Sequence, residues 1–354
     1  METVKKRETN LELYRIIVMI LIVAHHYVVS SGLLNIVGQN PTSAQSIYLY
    51  FLGMWGKTAI NCFVLITGYF MCKSRITMRK FTKLILWVLF YNIVIYSLFV
   101  LFGYEEFTVK RFFSSTLPIT SLTTGFTSCF LVFWLFIPFL NILINSLNHH
   151  QHATLILLCL FFFSIWPQIH YTVNINYVTW FSILYLVASF IRNYGINNSI
   201  PHKLWGWGTL VTIVLAMGSV LIQLYFGKND PYRFVSDSNA IYAVMVSVCS
   251  FMYFKDVPLK YNKIFNAIGG STFGVFLIHS NGELMSRWLW NDLLDNVGHY
   301  AGNIYLHSLI CVVAIFIICT FIDQLRLKFV EKPLFDFLDK YMKKRGNKFI
   351  FNWT

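Results

Sequence analysis

Two side chains in the first apolar stretch of the chain, Arg15 and His26, have types and a spacing that could support chemistry. They are eleven positions apart, and eleven steps of about 100° return to within ~20° of the same direction on a helix. Both side chains therefore project from one helical face, ~16 Å apart along the axis. A guanidinium can hold an anion, and an imidazole with an ordinary pKa near ~6.5 can act as a general base. The spacing is equally compatible with an arginine at the inner headgroups and a histidine facing interfacial water.

A second histidine, His279, lies at a matching position late in the chain. It is fifteen residues into the apolar run that begins at Ile264, and His26 is fifteen residues into the run that begins at Leu11. Both runs are predicted to cross the membrane in the same direction, so the two imidazoles are expected at similar depth. Glu283 follows His279 by one helical turn. It either pairs with that imidazole and fixes its tautomer, or lies at the outer membrane interface.

The second apolar stretch carries a lysine and an amide, Lys57 and Asn61, one helical turn apart. A buried lysine beside an amide suits the binding of an anionic or carbonyl group, and a structural ion pair is an equal alternative. The basic loop that follows can hold phosphates or serve only to orient the protein in the membrane. The cations of this loop are Arg75, Arg79, Lys80 and Lys83.

The elements that must position these residues are membrane-spanning helices. Of the 354 residues, 56% are hydrophobic and only 12% are charged, about half the charge of a soluble domain. This composition excludes a conventional soluble enzyme and a disordered chain, and unpaired backbone groups exclude an open sheet in lipid. We predict an all-α, polytopic transmembrane helix bundle of about ten spans. The predicted spans are Leu11–Leu33, Ser46–Met71, Leu84–Phe102, Ser128–Asn145, Thr154–His170, Val178–Tyr194, Leu204–Phe226, Asn239–Phe254, Ile264–Gly282 and Ile304–Leu325.

The Lys and Arg residues that produce the net charge of +13 lie mostly on one predicted side of the membrane. With the N-terminus inside, the inner segments hold 21 Lys and Arg residues and the outer segments hold five, as the positive-inside rule requires. Both termini are therefore predicted to be cytoplasmic, and no nucleic-acid partner is expected. We predict one membrane-embedded domain over residues 1–335 and a basic cytoplasmic tail over 336–354. The seven cysteines lack metal-site or disulfide spacing, so we expect packing residues and no metal.

Several short motifs, taken in order along nearly the whole chain, resemble the membrane-bound acyltransferase family 3. This family consists of bacterial proteins with about ten spans that O-acetylate cell-surface polysaccharides. The second-helix pattern is most similar to members from Gram-positive polysaccharide gene clusters. The motifs are Arg15-x10-His26, Gly56-Lys57 with Asn61-x-Phe63 and Gly68-Tyr69-Phe70, Pro138-Phe139-Leu140-Asn141, Phe276-Leu277-Ile278-His279 and Glu331-Lys332-Pro333-Leu334.

The resemblance implies an O-acetyltransferase in the bacterial plasma membrane. Acetyl-CoA is then a cytoplasmic substrate rather than a resident cofactor, and the acceptor is a polysaccharide or lipid-linked sugar at the outer side. His26 and Arg15 are the implied catalytic residues. The implied donor- or substrate-binding residues are Lys57, Asn61, His279, Glu283, Arg75 and Arg79. The expected partners are the lipid bilayer, acetyl-CoA and the glycan, with other polysaccharide-synthesis proteins or a second copy as further candidates.

Two other functions fit parts of the same pattern. A lipid-linked glycan transporter or flippase would also place cations inside the membrane, although no paired broken helices or repeated halves are present. A polysaccharide polymerase would need a large outer loop with catalytic basic residues, and the outer loops here are short. Within the acyltransferase reading, direct transfer and an acetyl-histidine intermediate are both compatible with the sequence, as is another acyl donor.

Overall fold

A computed structural model describes residues 7–74, 76–119, 125–170, 175–196, 200–228 and 230–344. These residues form helices and connecting turns with no strand among them, which confirms the all-α prediction. The first eight helices are α1 Thr9–Val29, α2 Leu33–Gln39, α3 Ala44–Gly53, α4 Gly56–Met71, α5 Met78–Leu101, α6 Val109–Ser115, α7 Phe126–Ser146 and α8 His149–Leu160. The remaining helices are α9 Trp166–His170, α10 Tyr177–Tyr194, α11 His202–Tyr225, α12 Ile241–Lys255, α13 Lys263–His279, α14 Gly282–Arg287, α15 Ile304–Arg326 and α16 Lys332–Lys344.

Seven helical segments of the described chain are long and apolar enough to cross a membrane. The other three predicted spans fall on helices α10, α12 and α13, which have 18, 15 and 17 residues. Every predicted span thus falls mainly on helical residues, while the count of ten and the cytoplasmic termini stay predictions. The seven segments are Thr9–Val29, Ala44–Met71, Met78–Leu101, Phe126–Ser146, His149–Ile169, His202–Tyr225 and Ile304–Tyr341.

The second predicted span is not one uninterrupted helix. Helix α3 ends at Gly53 and α4 begins at Gly56, where the chain passes close to α1. A Cβ atom on Gly53 would lie 3.0 Å from Val28, and a Cβ atom on Gly56 would meet the His25 ring. The two glycines permit this approach, and the interruption places Lys57 in the first turn of α4.

The described chain divides into two compact units. The first comprises Met1–Ile66, Leu158–Val173 and Gly195–Thr320, and the second comprises Thr67–Leu157, Asn174–Tyr194 and Phe321–Thr354. Helix α1 packs on α13 in the first unit, and α7 packs on α10 in the second. The predicted tail boundary at residue 336 falls inside α16, and residues 345–354 of that tail lie outside the described residues.

Close packing of α1 on α13 depends on Gly269. A Cβ atom there would lie 2.8 Å from the Cβ of Glu12 and 3.0 Å from the Glu12 backbone oxygen. We expect Gly269→Ala to lower the free energy of unfolding by about 1–3 kcal/mol, measured as thermal unfolding of the purified protein. The matched control is Gly218→Ala in α11, where a Cβ atom meets nothing within 4 Å. Equal losses of stability in both variants would contradict this packing.

Candidate active site

His26 and His279 meet at the contact between α1 and α13. The Nδ1 atom of His26 lies 3.0 Å from the Nε2 atom of His279, which confirms the similar depth expected for the two side chains. His279 is fully buried, whereas His26 is half-buried. Of the two imidazoles, His26 is therefore the one that a substrate can reach.

The hydrogen bonds made by His26 and His279 determine which ring nitrogen keeps a lone pair free to accept a proton. The Nδ1 atom of His279 lies 2.6 Å from the Val275 carbonyl oxygen, and a carbonyl oxygen only accepts. When both rings are neutral, His279 donates from Nδ1 and accepts at Nε2 from the Nδ1–H group of His26. The lone pair on His26 Nε2 then points away from the pair, and no described residue hydrogen-bonds this atom. The arrangement is that of an oriented general base.

Of the two alternatives for Glu283, the structure rules out the pairing with His279 and agrees with an exposed position. Helix α13 ends at His279, and Gly282 adopts a left-handed backbone with φ of +80°, so the one-turn spacing of a continuous helix does not apply. Glu283 is exposed, and both ring nitrogens of His279 are already engaged by Val275 and His26. The partner of His279 Nε2 is thus a second imidazole, that of His26, and not a carboxylate.

Arg15 is held by a carboxylate that sequence reasoning missed. Its Nη1 atom lies 3.0 Å from Glu12 Oε1, and the Nη1 atom of Arg7 lies 3.3 Å from Glu12 Oε2. The Glu12 side chain is only 5% exposed, against 23% for Arg15. Glu12 also contacts Gly269 of α13, and because α1 is continuous from Thr9 to Val29, Arg15 and His26 project from one helical face. One carboxylate between two guanidinium groups leaves a net positive charge able to hold an anion.

Lys57 lies near the histidine pair, and Asn61 forms a structural bond. The Lys57 side chain is half-buried and within electrostatic range of His26. Asn61 is fully buried, and its Nδ2 atom donates to the backbone oxygen of Ser238 at 2.6 Å. His25 Nδ1 lies 2.5 Å from the Gly53 carbonyl oxygen, in line with a structural role. Substrate-binding roles for Lys57 and Asn61 stay predictions.

The sequence match is consistent with this geometry. Residues 8–323 match the family model of an acyltransferase domain, acyltransferase family 3. The chain belongs to the membrane-bound acyltransferase family 3. Together with its long apolar helices, this makes it a multi-pass membrane acyltransferase. No curated protein and no solved structure shows significant similarity to it.

The loop cations predicted to bind the donor are partly neutralised in this acyltransferase. Arg79 Nη2 lies 2.6 Å from Asp339 Oδ2 of α16, and the two side chains are about half exposed. Lys83 forms an ion pair with Glu331. Arg75 lies outside the described residues, and donor binding by this loop stays a prediction.

The acyltransferase also contains a buried ionic cluster that was not predicted from the sequence. Asp323 is fully buried in α15 and accepts hydrogen bonds from Trp87 Nε1 at 3.1 Å and from Tyr91 at 2.8 Å. Arg326 donates to Asp323 at 2.9 Å and to Glu331 at 2.7 Å. Arg326 was expected in the cytoplasmic loop after Leu325, but α15 continues through it. The signal in the sequence was Asp323, because an acidic residue in an apolar stretch needs a buried partner.

Metal-ligating side chains do not gather in the part of the acyltransferase that the structure describes. No three His, Cys, Asp or Glu side chains there are arranged to hold a metal ion. The seven cysteines are all free thiols.

Proposed function

We propose that this family member is an O-acetyltransferase. It moves an acetyl group from cytoplasmic acetyl-CoA to a sugar hydroxyl of an exopolysaccharide, capsule or lipid-linked glycan at the outer side of the bacterial plasma membrane. Acetyl-CoA is a substrate and not a permanently bound cofactor. The observation that carries the proposal is the oriented, half-buried His26 in a chain of an acyltransferase family.

In the proposed reaction, His26 acts as the general base. Its Nε2 atom removes the proton of the sugar hydroxyl as the sugar oxygen attacks the acetyl carbonyl carbon. The new carbon–oxygen bond forms, the carbon–sulfur bond of the thioester breaks, and the CoA thiolate receives the proton from His26. His279 contacts neither substrate, so its role is to hold the His26 tautomer through its Nε2 acceptor.

Arg15 is proposed to hold the donor. The carboxylate of Glu12 fixes its guanidinium at 3.0 Å, and the remaining N–H groups can face phosphate or carbonyl oxygens. We assign Lys57 the role of stabilising negative charge that develops on the acetyl oxygen during attack, a role supported by its position in the first turn of α4 and its electrostatic effect on His26. A cation inside a membrane is energetically costly, so these roles would account for the presence of Arg15 and Lys57 there.

The test of this function is transfer of labelled acetyl groups by isolated membranes. Membranes that contain the protein are expected to move label from acetyl-CoA into a glycan fraction, in an ester that mild alkali releases. Membranes from cells that lack the gene provide the background. A transporter without acyl-transfer chemistry would leave the label on CoA, and that result would exclude the proposal.

Arg15→Gln is expected to raise the KM for acetyl-CoA by about 10-fold, because a charged hydrogen bond to the donor is lost. The change in kcat should be smaller, since His26 stays in place. The measurement is initial-rate kinetics in membranes of matched protein content. Lys260→Gln is the control, because it removes the same charge from an exposed side chain on the predicted cytoplasmic side. An unchanged KM in the Arg15 variant would contradict its donor-binding role.

A further inference from the structure

The N-terminal end of α1 carries two guanidinium groups that share one carboxylate. The Nη1 atoms of Arg7 and Arg15 lie 3.3 and 3.0 Å from the two oxygens of Glu12. Among the described residues, the Nη2 atom of each arginine forms no hydrogen bond. The Arg7 side chain is 52% exposed and the Arg15 side chain 23% exposed. Both cations are therefore fixed in place and still accessible to a ligand.

Helix α13 holds the Arg7 guanidinium close to its own backbone. A Cβ atom on Gly270 would lie 2.9 Å from Arg7 Nη1 and 3.4 Å from Arg7 Cζ, so the guanidinium occupies space that a side chain at position 270 would fill. Gly269, the preceding residue, gives the same room to Glu12. All these residues belong to the first compact unit. The arrangement thus depends only on the packing of α1 on α13.

A buried amide at the same contact has a donor without an acceptor. Asn266 is one helical turn before Gly269 and Gly270, on the same face of α13, and is only 8% exposed. Its Oδ1 atom accepts a hydrogen bond from the Thr9 hydroxyl at 3.3 Å. Within the described part of the chain, its Nδ2 atom is buried and has no hydrogen-bond partner. Buried donors are normally paired, so this amide points to a ligand that accepts hydrogen bonds.

The chemistry of these groups favours a phosphate. Two guanidinium groups and an amide N–H supply donors only, and phosphate oxygens suit the planar fork of an arginine. Glu12 compensates one of the two positive charges, and Glu8 at the start of α1 is a second carboxylate nearby. Recognition therefore depends on directed N–H donors more than on net charge. Donors that are already held in place lose less entropy on binding.

The distance from this cluster to His26 matches one part of an acyl-CoA. Helix α1 is continuous from Arg15 to His26, which are ~16 Å apart along its axis. In acetyl-CoA, the pantetheine arm joins the thioester sulfur to the nearest phosphorus through about thirteen bonds, or roughly 15 Å when extended. A donor with its thioester at His26 would therefore have its diphosphate at the two guanidinium groups.

We propose that Arg7 and Asn266, together with Arg15, form a subsite that binds the diphosphate of the acyl-CoA donor. The inference rests on the proposed function, and on the predicted topology that puts this end of α1 in the cytoplasm. Glu12 positions both guanidinium groups and contacts no substrate. An anionic lipid headgroup offers the same phosphate chemistry, so the experiment separates the two sources.

The test measures ligand binding by the purified full-length protein in phosphatidylcholine nanodiscs. Arg7→Gln is expected to raise the Kd for acetyl-CoA by about 10-fold. The same increase is expected for acetyl-dephospho-CoA, which lacks the ribose phosphate but keeps the diphosphate. The Kd for S-acetylpantetheine, which lacks the diphosphate, should not change. Lys260→Gln is the control, because Lys260 is an exposed cation of the same unit.

Two further variants test the donors individually. Asn266→Asp keeps an acceptor for Thr9 and replaces the unpartnered N–H group with a carboxylate oxygen. It is expected to raise the Kd for acetyl-CoA by about 10-fold or more, again with no change for S-acetylpantetheine. Arg7→Lys keeps the charge without the planar fork, and is expected to recover part of the affinity that Arg7→Gln loses.

Five results would overturn the inference. Wild-type affinity for acetyl-CoA in both Arg7→Gln and Asn266→Asp would remove the subsite. A loss confined to acetyl-CoA, with acetyl-dephospho-CoA unaffected, would assign these residues to the ribose phosphate. An equal loss of S-acetylpantetheine binding would mean that the substitutions disturb the fold. Loss of bound phosphatidylglycerol from mixed-lipid nanodiscs, with acetyl-CoA affinity unchanged, would assign the cations to lipid. If the wild-type protein binds no acetyl-CoA, the proposed function fails as well, an outcome distinct from the other four.

Discussion

Cells that carry His26→Ala in place of the wild-type protein are expected to lose O-acetyl groups from their surface glycan. The substitution removes the only atom of the histidine pair with an unengaged lone pair, His26 Nε2. Loss of a general base costs about 10²- to 10⁴-fold in rate. The measurement compares glycan-bound acetyl ester in a gene-deletion strain complemented with each form of the protein.

The matched control for this substitution is His150→Ala. His150 is an exposed histidine in the first turn of α8, and its ring contacts the adjacent His149 ring. Full O-acetylation is expected with this variant. Normal O-acetylation by the His26 variant, at normal abundance in the membrane, would refute the catalytic assignment.

His279→Ala is expected to lower kcat by about 100-fold or more while the KM values change little. Without His279 Nε2, the His26 ring loses the acceptor that holds its Nδ1–H tautomer, and a misoriented base is inefficient even when present. Because His279 is buried and does not reach substrate, ground-state binding should persist. Steady-state kinetics for both substrates measures the two constants separately.

His279→Gln distinguishes positioning from a purely structural role. The glutamine Oε1 atom can replace Nε2 as an acceptor, so this variant is expected to recover much of the lost kcat. Equal losses in the Ala and Gln variants, accompanied by equal losses of thermal stability, would show that His279 only fills space. Raised KM values in both variants would also contradict the assigned role.

The sequence indicated that His26 and His279 lie at a similar depth, but not that their rings form a hydrogen bond. Counting residues from the start of each apolar run placed His26 and His279 at the same depth, and their ring nitrogens lie 3.0 Å apart. This succeeds because the rise of a helix is fixed and because two helices crossing in the same direction share one scale of depth. The eleven-residue spacing was equally informative, because α1 is continuous from Thr9 to Val29 and Arg15 and His26 therefore share one helical face.

Contacts that depend on where helices end were not predictable in this way. The alternative in which Glu283 pairs with His279 assumed helical periodicity, but α13 stops at His279, and the chain turns at Gly282 before α14. The break between Gly53 and Gly56 arises from close packing on α1, which a hydropathy pattern does not contain. Tertiary packing, rather than local sequence, decides such boundaries.

Ion pairs were the second kind of contact that was not predicted from the sequence. The acidic partner of Arg15 is three positions away in the sequence, as Glu12, and the spacing alone could have indicated it. Asp323 could have been found because any acidic residue in a membrane helix needs a partner. Its hydrogen-bond donors Trp87 and Tyr91 lie on α5, more than two hundred positions earlier, and no local pattern connects them.

The most direct test of the account is acetyl transfer by the purified protein reconstituted in sealed vesicles. Acetyl-labelled CoA is supplied on one side and a glycan acceptor on the other, and glycan-bound alkali-labile label is measured over time. The account predicts that wild-type protein transfers the label across the membrane and that His26→Ala protein, equally reconstituted, does not. Transfer by both proteins at the same rate, or by neither, would contradict it.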